Sequence, residues 1–142
     1  MNIDYATTEA ELAQVRALRE AVFIDEQGIP PEEEWDALDG EARHLLARDG
    51  ANPAGSLRWR RVEDMAKVER VCVQGTYRGT GLGARMMTKV LEDVRALDGI
   101  EGVTLNAQDA ATGFYAGFGF VPEGEVFDEA GIPHRTMVLR FR

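Results

Sequence analysis

The chain has 142 residues, a usual length for one domain, and an ordinary globular balance of 44% apolar and 29% charged residues. Its formal net charge of −9 argues against a nucleic-acid partner, because neutralising phosphates needs a basic face. Cys72 is the only cysteine, which excludes an internal disulfide and a thiolate metal cluster, and the two histidines, His44 and His134, make no helical metal-binding pair.

Residues 3–6 read as a short first strand. Thr8 then offers a helix N-cap with Glu11 at capping-box spacing, and Leu12, Val15, Leu18 and Val22 follow at helical intervals. This predicts a helix to about Phe23, stopped by Gly28-Ile29-Pro30-Pro31. Residues 31–41 read as an acidic loop containing Glu32, Glu33, Glu34, Asp36, Asp39 and Glu41, with Trp35 alone among the charges. Such a run is ordinarily a solvated face, although it would also attract a cationic molecule.

Two strands, 43–48 and 54–62, flank the turn Gly50-Ala51-Asn52-Pro53, and 68–73 reads as another strand. A glycine-rich turn leads into a helix with its apolar stripe at Leu82, Met86, Val90, Val94 and Leu97. A strand over 102–107 and a short helix over 110–117 come next. Two last strands, 120–127 and 134–141, turn at Glu129-Ala130-Gly131. The order predicts a mixed α/β sheet in a single domain over residues 1–142, with antiparallel hairpins and one parallel crossover after the glycine turn. The N-terminus has no signal-peptide pattern and no apolar run is long enough to span a bilayer, so the expectation is a cytoplasmic protein without a membrane partner.

The chemistry centres on Arg78-Gly79-Thr80-Gly81-Leu82-Gly83-Ala84-Arg85, between a strand and an amphipathic helix. The first amides of a helix have no intrahelical acceptor and the helix dipole favours an anion there. Glycines let a phosphate approach the backbone, and Arg78 and Arg85 add charge. A P-loop would need Lys-Ser/Thr after the last glycine, where Ala84-Arg85 stands. The dinucleotide fingerprint is met loosely by Gly79, Gly81 and Ala84, with Asp98 downstream. Against it, Gln74-Gly75-Thr76-Tyr77-Arg78 separates strand from glycine, and only one strand-helix-strand unit follows.

Arg78, Gly81 and Gly83 after the apolar strand resemble the acyl-CoA loop of the GNAT superfamily of N-acetyltransferases, Arg/Gln-x-x-Gly-x-Gly/Ala. Phe114-Tyr115-Ala116-Gly117-Phe118-Gly119-Phe120 resembles that family's later Phe-Tyr-x-x-x-Gly-Phe element. Phe23-Ile24-Asp25-Glu26-Gln27-Gly28, Asp36, Asp39, His44, Ala107-Gln108 and Gly131-Ile132-Pro133-His134 with Met137 are similar to the ElaA/YjcF-type branch.

The resemblance implies the GNAT fold, a mostly antiparallel twisted sheet flanked by helices, with acetyl-CoA as co-substrate and no metal. It places acetyl-CoA on Val71, Cys72 and Val73 and on the loop Arg78, Gly79, Thr80, Gly81, Leu82, Gly83 and Ala84. Tyr115 becomes the acid beside the CoA sulfur, a backbone N–H of residues 71–73 the oxyanion donor, and Glu69 or Glu26 the base, with His44 and His134 open beside them because an imidazole ordinarily titrates near ~6.5. Glu26, His44, Gln108 and His134 fall on the acceptor side. The acceptor would be a small-molecule or peptide amine attacked directly in a ternary complex; Cys72 offers an acyl-cysteine route that lacks a partner base nearby in sequence. A homodimer is compatible with the resemblance. A second reading is a non-catalytic module that holds CoA through the same fold.

Overall fold

The computed structural model describes residues 1–142. Eight strands are present: β1 (Asn2–Tyr5), β2 (Arg43–Asp49), β3 (Asn52–Val62), β4 (Met65–Val73), β5 (Gly102–Gln108), β6 (Val121–Pro122), β7 (Phe127–Glu129) and β8 (Ile132–Arg140). They form one sheet in the order β1-β2-β3-β4-β5-β8-β6, with β7 also paired to β8. Every pairing is antiparallel except β4 with β5. The expected mixed, mostly antiparallel sheet is therefore observed.

Helix α1 (Glu9–Arg19) starts on the predicted capping box: Thr8 Oγ1 accepts from the Glu11 amide and Glu11 Oε1 accepts from the Thr8 amide, each at 3.1 Å. It does not end near Phe23. Residues Glu20–Glu26 continue as a π-helix, in which the Gln27 amide reaches back five residues to the Val22 carbonyl. The 31–41 segment is not a plain loop. It folds into α2 (Pro31–Glu34) and a 3₁₀ turn over Ala37–Glu41, capped by Asp36, which accepts from the Leu38 amide at 3.0 Å.

Helix α3 (Leu82–Arg95) ends before Leu97, which is 39% exposed and lies outside its buried stripe. Helix α4 spans Thr112–Ala116. The strand expected over 120–127 is broken into β6 and β7, since Pro122 and Gly124, with φ of +83°, stop a continuous ladder between them. No helix is long and apolar enough to cross a membrane.

Alternating side chains divide the core between the two sheet faces. On one face Leu45, Leu57, Trp59, Val68 and Leu105 pack with Met86, Met87, Val90 and Val94 of α3, and with Tyr115 of α4. Those four α3 side chains are wholly buried, each contributing roughly 1.5–3 kcal/mol at most. On the other face Leu46 and Cys72 meet Val15, Leu18, Val22 and Phe23.

Strand β4 breaks its own alternation. Its register with β3 shifts between Ser56 and Arg58, and Arg70 sits there at φ +57°. A bulge inserts one residue and turns the strand. Hence Val68 and Val71, three apart, pack on the same core. Parallel pairing of β4 to β5 covers only Met65–Val68 against Gly102–Leu105, whereas β5 stays paired to β8 along its full length. Beyond Leu105 the sheet opens into a V.

Candidate active site

The split begins as a backbone feature. The Gln74 amide donates to the Ala54 carbonyl at 2.8 Å, so alternation turns the polar groups of Cys72 toward β3 and those of Val71 and Val73 toward the split. The Val73 carbonyl indeed takes a hydrogen bond from Arg78 Nε at 3.0 Å rather than from a strand. A cavity of roughly 440 Å3 occupies the V, and Val71, Leu105, Ala107 and Tyr115 are among its walls.

At one end lies the glycine turn. Gln74 caps a 3₁₀ turn over Gly75–Tyr77, and Thr80 Oγ1 donates to the Tyr77 carbonyl. Gly79 and Gly81 have φ of +77° and +84°, conformations that a side chain resists, and Gly81 is the left-handed N-cap of α3. The first α3 amide with a main-chain acceptor is Arg85, which donates to Gly81 at 3.1 Å. The amides of Leu82, Gly83 and Ala84 are thus free donors at the positive end of a 14-residue helix. Arg85 is exposed with no ion pair, while Arg78 is held by Glu26 at 2.8 Å. These features fit an anionic, phosphate-bearing ligand continued by a chain that needs strand-edge hydrogen bonds.

At the other end stands a network of buried charges. Arg19 Nη1 and Arg58 Nη1 both bond Asp39 Oδ1 at 2.7 Å. Arg58 also holds Asp36 at 2.8 Å and Glu69 at 3.2 Å. Glu34 lies 2.8 Å from Arg70 Nε and 3.4 Å from Arg19 Nε. Arg19, Glu34 and Arg58 are only 1–2% exposed. The network ties α1, α2 and the 3₁₀ turn to β3 and to the bulge at Arg70. Trp35 lies over the Arg19 guanidinium, 4.9 Å from its carbon, and so anchors the segment. The acidic run is therefore not a solvated face at Glu34, Asp36 and Asp39; these three are neutralised internally.

The charges set the protonation of the carboxyls. The Arg58 hydrogen bond draws Asp36 down to about 2 against a smaller opposing effect of burial. Burial pushes Glu69 up, but the Arg60 hydrogen bond at 2.8 Å and the Arg58, Arg60 and Lys67 charges bring it below the ordinary value. Burial wins at Glu34, which is raised despite its arginines.

The residues expected to serve the site are dispersed. Tyr115 lines the cavity at 7% exposure, its ring edge-on to Phe114 and Phe120, and no protein group bonds its hydroxyl. Burial pushes its phenol up to about 12. Glu69, Gln108 and His134 also line the cavity, the last two paired across β5 and β8. Gln108 Nε2 donates to Gln27 Oε1 at 2.9 Å, joining the end of β5 to the end of the π-helix. Glu26 is not brought to the cavity; it is exposed and turned to Arg78. His44 is likewise elsewhere, buried on β2 with Nε2 3.0 Å from the Asp39 carbonyl. Cys72 has its side chain in the opposite core, 3.4 Å from Ser56 Oγ, with burial raising its thiol to about 11.

Arg19, Arg58, Arg70, Gln27 and Glu129 were not among the expected site residues. One signal lay in the sequence: Arg19 falls four residues after Val15 on the apolar stripe of α1, where a charge needs a buried partner.

Comparison with known proteins accords with this geometry. A family model described as acetyltransferase (GNAT) domain matches residues 7–141. YjcF of Bacillus subtilis, described as an uncharacterized N-acetyltransferase, is 41% identical over 134 residues, covering 94% of this chain and 95% of that one. ElaA of Escherichia coli is 34% identical over 141 residues, covering 94% and 92%. Its crystal structure superposes with a TM-score of 0.85 over 96% of this chain and 99% of that one. An acyl-CoA N-acyltransferase from Pseudomonas aeruginosa is 32% identical, with a TM-score of 0.86 over 96% and 99%. By this match over nearly its whole length, the chain belongs to the GNAT acetyltransferase family, beside YjcF and ElaA.

Proposed function

We propose that this protein transfers an acetyl group from acetyl-CoA to a primary amine, by direct attack with both substrates bound. The observation that carries the reading is the V between β4 and β5, which exposes a strand edge between a free helix N-terminus and a buried tyrosine. The free amides of Leu82, Gly83 and Ala84, with Arg85, would hold the pyrophosphate. The edge of Val71 and Val73 would take the pantetheine amides, as an added strand does.

The thioester then lies in the V. A Val71 N–H would stabilise the oxyanion of the tetrahedral intermediate, a role that favours a preorganised backbone donor. A phenol keeps its proton at neutral pH, and burial holds Tyr115's still more firmly, so it carries a proton that the departing thiolate can take. Cys72 points into the other core with a raised thiol, which favours direct transfer over an acyl-cysteine. Glu69 is kept ionised by its cations and is correspondingly weak as a base.

The test is an acceptor screen with acetyl-CoA, detecting released thiol. Tyr115→Phe is expected to lower turnover on the order of 10²-fold while leaving acetyl-CoA affinity unchanged. Acetyl-CoA binding without transfer to any amine would support instead the non-catalytic CoA-binding module.

A further inference from the structure

The fold itself sets which nitrogen of His134 carries hydrogen. Nδ1 lies 2.7 Å from the Ile132 carbonyl oxygen. A carbonyl only accepts, so Nδ1 donates, and the neutral ring presents its lone pair at Nε2. The ring is held in place by Phe127, stacked at 6.0 Å and 26°, and by the β5–β8 register opposite Gln108. Nε2 lies 3.5 Å from Glu129 Oε2. That is too far for a good hydrogen bond and close enough to attract an imidazolium.

The surrounding charges single the residue out. The ionisable groups lining the cavity with it are Glu33 and Glu34 from α2, Lys67, Glu69 and Arg70 from β4, Tyr115 from α4 and Glu129 from β7; β5 offers only neutral side chains. Glu34 and Glu69 are tied to arginines. Glu33 and Glu129 are exposed at the rim. Tyr115 is an acid with its proton in place. His134, only 8% exposed, is the buried group in this wall that has both a free lone pair and a counter-charge for the proton it gains.

We infer that His134 is the general base of acetyl transfer and that Glu129 stabilises its protonated form. This deepens the acetyltransferase reading and rests on it. His134 Nε2 takes a proton from the bound ammonium and passes it to solvent, and the freed amine nitrogen forms the C–N bond to the thioester carbonyl carbon. The C–S bond breaks with its electron pair on sulfur, the new amide nitrogen sheds its remaining excess proton to solvent, Tyr115 Oη protonates the thiolate, and solvent reprotonates the phenolate.

The experiment needs no knowledge of the natural acceptor. Thiol release from acetyl-CoA is measured with two probe amines, ethylamine, which is protonated at neutral pH, and hydroxylamine, which is largely a free base. Wild type, His134→Gln and Glu129→Gln are compared across pH, with acetyl-CoA thermal shift confirming that each is folded. His134→Gln is expected to lose on the order of 10²-fold with ethylamine and much less with hydroxylamine. Glu129→Gln, altered only at an exposed rim, is expected to lose activity in the same pattern but to a smaller extent, mainly with ethylamine, because the protonated ring loses its counter-charge 3.5 Å away. Equal losses with both probes in His134→Gln, or full ethylamine activity in Glu129→Gln, would overturn the assignment. No thiol release above buffer by wild type with either probe would remove the acetyl-transfer reading itself, and His134 with it.

Discussion

The glycine turn before α3 and the ion network beneath α2 both rely on arginines, but they use them oppositely. At the turn, Arg85 has no partner and Arg78 is held by a half-exposed glutamate. In the network, Arg19 and Arg58 are buried and shared among carboxylates from three segments. Exposed pairs contribute little to stability and are easily exchanged, whereas an arginine removed from a buried network leaves charges without partners. The turn is thus suited to accept a ligand anion, and the network to hold the bulged edge of β4 in position.

Arg58→Met should separate the two regions most sharply. It takes the buried shared partner from Asp36, Asp39 and Glu69, leaving them with Arg70, Arg19 and Arg60, and a loss of about 3 kcal/mol is expected in denaturant unfolding. A wild-type midpoint would place the stabilising role elsewhere. Acid should probe the same network more gently. Asp36, Asp39 and Glu69 have depressed pKa values, so their stabilisation is complete above the ordinary carboxylate range. It is lost as pH falls through their folded values, near 2 for Asp36. Glu34, raised by burial, works in the opposite sense. Stability followed by thermal unfolding from neutral pH to pH 2 should fall, and a flat profile would mean that the network contributes nothing net.

Smaller effects are expected at the turn. Gly81→Ala meets no neighbour within 4 Å, yet must adopt φ of +84°. It should cost roughly 1–2 kcal/mol in stability and weaken acetyl-CoA binding measured by calorimetry. Glu26→Gln frees Arg78 and should tighten acetyl-CoA by up to about 5-fold, with stability changed by at most about 1 kcal/mol. Weaker binding in that variant would make Glu26 part of the acceptor or catalytic machinery rather than the counter-ion of Arg78.

The contrast also explains what could be read before the structure. The capping box at Thr8, the α3 stripe and the glycine turn are local patterns, in which each residue's partners lie within a few positions. The network joins residues up to 36 apart, as between Arg70 and Glu34, and no local spacing announces such partners. The acidic run therefore looked solvated. Likewise the bulge at Arg70 is not coded by a glycine; a paired arginine holds the positive φ. Tyr115 lies in the cavity wall within a contiguous aromatic motif that a local reading can single out. Glu26 and His44 stand outside the cavity wall, paired to Arg78 and to the Asp39 carbonyl, contacts that no local spacing announces.

The most direct test of the donor site is a thermal shift with acetyl-CoA against NAD, since the same glycines loosely satisfy a dinucleotide pattern. At about 100 times its dissociation constant, a ligand bound only by the folded state adds roughly 2.7 kcal/mol. A clear rise in melting temperature with acetyl-CoA, and none with NAD, is the predicted result. Stabilisation by NAD in preference to acetyl-CoA would contradict the account.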